Sequence, residues 1–212
     1  MTIGHSINQK ILHLWQQTFK DEDDVLLPIF YPSLKEDAIL FVGLNPSFSP
    51  KGYSSFLRGT AFSNLEPLMF YHWRNRERFD LEISFAIDQI ERDNYSYFNK
   101  FKDIAAYANL EWEHINLFFY RETIQEQFVQ RIYPRSRLTD FAQKQLELSK
   151  ILILEAKPRV IVAANSFASS LFQKQFPDMQ FDEKHGYHRV LFEGRAVPTF
   201  FSSRLTGLNQ TL

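Results

Sequence analysis

The sequence predicts an α/β fold built on a mostly parallel sheet, and three observations carry that reading. Short, almost wholly apolar runs at 37–43 ("DAILFVG") and 159–165 ("RVIVAAN") read as strands buried on both faces, the mark of a parallel sheet. Stretches with apolar residues at helical spacing separate the strands, so the chain alternates between the two kinds of element and implies right-handed crossovers. Each predicted strand end then runs into small polar residues, where open α/β sheets hold their ligands.

In chain order, residues 6–19 place Ile7, Ile11, Leu14, Trp15 and Phe19 on one helical stripe, with Ser6 as its cap. Residues 26–34 contain Pro and read as loop, and 37–43 is the first strand. The segment 47–64 is rich in Ser, Gly and Pro without periodicity, so a long and functional loop is expected. "YHWRNRER" (71–78) follows, and helices are predicted over 80–92 and 95–110. Residues 112–123 form a second strand leading into a polar loop. The stretch 138–158 is a helix capped by Thr139 and ended by Pro158, and 159–165 is the third strand. A short helix and then a hairpin over 187–201, turning at Glu193 and Gly194, complete the elements. The 212 residues are expected to form a single domain, with an N-terminal helix and loop at 1–35 and a helical insert at 65–110.

Composition narrows the function. Net charge is −1, so no global positive field draws the protein to nucleic acid, and such a role needs a local basic patch. The absence of Cys excludes disulfides, thiol catalysis and thiolate-held metal clusters. No apolar run approaches membrane-spanning length, and the N-terminus has no basic-then-apolar signal pattern, so a cytoplasmic protein without membrane contact is expected.

The strand ends carry Asn45, Asn116, Asn165, and Ser202 with Ser203. All are small uncharged hydrogen-bonding side chains, a set suited to reading a neutral polar ring rather than handling a proton; capping of turns is the alternative for each. In this pattern Gly43-Leu44-Asn45-Pro46 resembles the first motif of the uracil-DNA glycosylase superfamily. "HINLFFYRET" resembles that family's second strand with Asn116 in place, and 146–164 is similar to its third-strand unit. Phe200-Phe201-Ser202-Ser203-Arg204 stands where the family's last-strand loop falls. The resemblance spans roughly 36–207. It implies a three-layer α/β/α sandwich with a central, mostly parallel four-stranded sheet.

The resemblance also implies roles. Asn45, fixed by Pro46, would orient water against the anomeric carbon in a dissociative reaction, since an amide takes up a proton poorly. Asn116 would donate and accept across the edge of a flipped base, with Gly43 and Leu44 beside it. Phe62 would stack on the base, with Phe48 and Phe56 as rivals. Ser47, Ser202, Ser203, Arg204 and Arg121 would meet the nucleic-acid backbone, and Arg74, Arg76, Arg135 and Arg137 could add to a phosphate-contacting patch. Two departures stand out: Ser47 replaces the usual Gly after the Pro, and the last loop has no His to bond the leaving base oxygen.

Other constellations read blandly. His185 and His188 lack the carboxylates that would complete a metal site, and no P-loop, dinucleotide fingerprint or Gly-x-Ser-x-Gly elbow exists. Arg74, Arg76 and Arg78 suit a salt-bridged surface. The expected function is therefore base excision: hydrolysis of the N-glycosidic bond of uracil or a related damaged base in single- or double-stranded DNA. A monomer without metal or cofactor is expected. The alternative is a non-catalytic module that binds a nucleobase or nucleic acid on the same fold.

Overall fold

A computed structural model describes residues 6–202 apart from Asp23 and Glu193. The chain forms two compact units, one holding the sheet and one largely helical.

The sheet unit comprises 34–44, 97–117 and the chain from Ser149 onward. Its strands are β1 (Ile39–Gly43), β2 (Trp112–Asn116), β3 (Val160–Ala163), β4 (Gln180–Asp182), β5 (Tyr187–Phe192) and β6 (Arg195–Phe201), in the order β2-β1-β3-β6-β5-β4. The first four in that order run parallel, whereas β5 and β4 join antiparallel at one side. The mixed α/β class agrees with the sequence, but the sheet has six strands, not four. The antiparallel pair accounts for the difference: β5 is one arm of the expected hairpin, and three-residue β4 is too short to show a period. Gly194 turns that hairpin at φ +83, a conformation that suits a residue without Cβ; Glu193 lies outside the described residues.

All five residues of β1 are buried, as expected for a strand flanked by parallel neighbours and covered on both faces. The register sets Phe41 beside Val162 and Phe200 on one face. Here α5 (Asn99–Ala108) covers the sheet, with the Phe101 ring stacked on Phe41 at 4.3 Å. The opposite face carries Phe201, whose ring meets Phe172 of α8 (Ser166–Gln175) at 6.0 Å. Alternation along the strands thus gives each face its own helix.

The helical unit comprises residues up to Ser33, 45–96 and 118–148. It contains α1 (Ser6–Thr18), α2 (Pro50–Phe56), α3 (Pro67–Tyr71), α4 (Leu81–Asn94), α6 (Gln125–Ile132) and the first part of α7 (Asp140–Glu155). The α1 stripe is buried as predicted, and Trp15 and Phe19 pack edge-on against Phe141 at 5.1 and 5.2 Å. Asn8 is fully buried because its amide bonds both backbone polar groups of Tyr31. Two helices depart from the sequence reading. The expected loop 47–64 contains α2, started by Ser49, whose Oγ accepts the Gly52 N–H, and by Pro50 in the first turn. The polar stretch after β2 contains α6, which buries Phe128 and Ile132, one helical turn apart. Residues 73–78 form a 3-10 helix in which the Arg76 guanidinium lies 4.8 Å over the Trp73 ring and pairs with Glu77. Among the described residues, no helix is long and apolar enough to cross a membrane.

Candidate functional site

Parallel β1, β2, β3 and β6 deliver Gly43, Asn116, Ala163 and Phe201 to one edge of the sheet. Gly43 and Asn116 are partners in register, and Asn116 is 3% exposed. A Cβ on Gly43 would stand 2.6 Å from Asn116 Oδ1 and 3.0 Å from His114 Nε2. The missing side chain of Gly43 is therefore the space into which the Asn116 amide folds. The period of two puts His114 on the face of Asn116, with its ring 5.4 Å from Phe98 and 5.5 Å from Phe101. His114 escaped the sequence reading, which counted only strand termini; the same alternation that placed Asn116 would have found it.

Other strand-end residues divide between structure and surface. Asn165 caps α8, its Oδ1 accepting from Phe167 N and Ala168 N at 2.8 and 3.0 Å, so that amide is committed to the fold. Leu44 is buried, and Ser202 is half-buried, its N–H donating to Ala163 O. Ser203 and Arg204 lie outside the described residues. His185 bonds Asp182 at 2.8 Å, and no group of three metal-ligating side chains occurs among the described residues.

In the helical unit, Asn45 is half-buried, and its Nδ2 donates to Glu122 O at 2.7 Å and Pro46 O at 3.2 Å. Two carbonyl acceptors fix which amide atom is nitrogen. They also leave Oδ1 as the atom able to accept from a water. Pro46 is buried, and its carbonyl is shared with the Glu122 N–H. Ser47 is exposed. Phe48 is only 8% exposed, its ring 5.1 Å from Tyr53 and 5.7 Å from Tyr71, which makes it core. Phe62 and Phe56 are half-buried. Arg74, Arg135 and Arg137 are exposed.

Arg121 is not on the surface where a phosphate would pass, since it is 3% exposed. Its guanidinium lies 4.3 Å over the Tyr71 ring, and Nη1 donates to the Tyr53 hydroxyl at 3.0 Å. That hydroxyl donates onward to Glu91 Oε2 at 3.1 Å. Asp88 and Glu91, three residues apart on α4, supply the opposing charge. Burial pushes the Asp88 carboxyl up to about 7 against the pull of Arg121, and raises Glu91 too. Tyr53 and Glu91 in turn line a cleft of about 810 Å³ between the 47–60 segment and the end of α4. The cleft and its charged support were invisible in sequence, because their members come from four separate segments.

Neither a protein-family model nor a curated protein matches this sequence.

Proposed function

We propose that the protein is a base-excision glycosylase acting on uracil or a related base in DNA, on a fold of the uracil-DNA glycosylase kind. The observation that carries this reading is the buried Asn116 amide laid over Gly43 at the carboxyl edge of a parallel sheet. A primary amide offers both a donor and an acceptor, which the neutral amide edge of uracil requires. Asn45 supports the same reading. Two backbone carbonyls hold its Nδ2, so its Oδ1 can accept from a water without taking a proton. In this mechanism the C–N glycosidic bond breaks first, the base leaving with the bonding pair. The water held by Asn45 then adds to the sugar cation, giving its hydroxyl to the sugar and a proton to the departing base. Positioning and electrostatics supply the acceleration of such a step.

The test is base release from uracil-containing single- and double-stranded oligonucleotides. Wild type is expected to leave abasic product, and Asn45→Ala and Asn116→Ala each to lose roughly a hundredfold or more in rate while still melting cooperatively. No product from a folded protein that still binds DNA or free uracil would replace this reading with the non-catalytic binding module.

A further inference from the structure

The cleft in the helical unit, about 810 Å³, falls in the size range that encloses a whole small ligand. Three features of its wall specify the ligand. Glu91 is held from behind: its Oε2 accepts from Tyr53, whose oxygen accepts from buried Arg121. Burial raises the Glu91 carboxyl, but the donated Tyr53 hydrogen bond and the Arg121 charge behind it favour the ionised form. That form has only acceptors, so this wall selects a group that carries N–H. Phe56, half-buried with its ring 4.8 Å from Tyr53, adds an aromatic surface of the kind on which unpaired bases stack. Arg58 is exposed and has no ion pair among the described residues, which suits a phosphate.

We infer that this cleft is a subsite for one unpaired nucleotide whose base carries an exocyclic amino group. The amino N–H donates to Glu91, the base stacks on Phe56 and the phosphate meets Arg58. The choice of nucleic acid as the ligand class, and the occupant's place beside the nucleotide under attack, rest on the glycosylase reading. Ser47 belongs to the wall of the cleft and follows Asn45 by two residues, so the natural occupant is a nucleotide neighbouring the one under attack.

Isothermal titration of the full chain with dCMP and with dTMP tests this. These bases differ at the 4-position facing Glu91, an amino donor in one and a carbonyl acceptor in the other. The thymine N3–H lies one ring position away, and the thymine methyl can only favour stacking. The expectation is about tenfold tighter binding of dCMP, the size of one hydrogen bond to a charged group. Glu91→Gln, whose amide both donates and accepts, should bring the two nucleotides within about twofold. Arg58→Ala alters an exposed residue, so it remains readable if Glu91→Gln fails to fold; it should weaken both nucleotides about equally, threefold or more. Equal binding of dCMP and dTMP by wild type, no heat with either at millimolar concentration, or an unchanged affinity in Arg58→Ala would each overturn the subsite. A dCMP preference in a protein that releases no base would remove the glycosylase reading and leave the subsite standing. Base release without a dCMP preference would do the reverse.

Discussion

The carboxyl edge of the sheet and the floor of the helical cleft both bury polar groups, by opposite means. At the sheet edge the buried group is neutral Asn116, set beside a glycine that gives it room. At the cleft the polar groups are a buried guanidinium, two buried phenols and two partly buried carboxyls. A neutral amide needs only hydrogen-bond partners, whereas a buried charge needs a counter-charge as well. The sheet edge should therefore respond to changes of shape, and the helical cleft to changes of charge.

Removing Arg121 is the largest available break in that contrast. Arg121→Met keeps much of the side-chain volume over Tyr71 but removes the buried cation from Asp88 and Glu91, leaving Arg92 as the remaining positive charge acting on Asp88. Losing one partner of a buried ionic set costs about 3–5 kcal/mol. Urea unfolding at neutral pH is the measurement, and adding Asp88→Asn should recover part of the loss by removing the orphaned carboxyl. A loss below about 1 kcal/mol, typical of exposed pairs, would mean that the cluster is solvated and the contrast is wrong.

Gly43→Ala probes shape at the sheet edge. The new methyl would meet Asn116 Oδ1 at 2.6 Å, closer than real carbon atoms approach, and Asn116 is too enclosed to swing clear. Overpacking of this kind costs about 1–3 kcal/mol. On the proposed function it also moves the amide that reads the base, so base release per folded molecule should fall along with the melting temperature. Wild-type stability and activity in Gly43→Ala would show that the amide has a second place to sit.

How much of this was legible depended on whether the physical signal is local. Strands buried on both faces announce themselves as unbroken apolar runs, and β1 and β3 were read with bounds close to those observed. The Asn165 cap and the start of α7 at Thr139, whose Oγ1 accepts from Ala142 N, are equally local. Helix α2 was within reach through Ser49-Pro50, but its seven residues are too few to display a period. Strand β4 has only three. Arg121 was misplaced for a different reason: a charged residue after a strand reads as surface, and its counter-charges lie about thirty positions upstream on α4. Pairing between distant segments leaves no mark in either one.

Acidity offers the smallest but most discriminating test, because the two units lean opposite ways. In the helical unit Asp88 faces Arg121, Glu91 and Arg92, with Tyr71 and Tyr53 nearby, and burial raises its carboxyl to about 7. The folded state therefore holds a proton that the unfolded chain gives up near pH 4. Its stabilising contribution is complete below that pH and is lost as pH climbs from about 4 to about 7. One such group gives a slope of at most about 1.4 kcal/mol per pH unit. Glu91, raised by burial, adds in the same direction. In the sheet unit Asp182 behaves conversely: its hydrogen bond from His185, with Arg189 also bonded to it, holds the carboxyl down at about 2. Its contribution is present above about pH 4 and disappears as pH falls toward 2. Unfolding midpoints measured from pH 2 to 8 should therefore separate the units: Asp88→Asn should flatten the decline between pH 4 and 7, and Asp182→Asn should reduce the loss on the acid side. A decline between pH 4 and 7 that survives Asp88→Asn unchanged would move its origin to Glu91, whose carboxyl burial also raises.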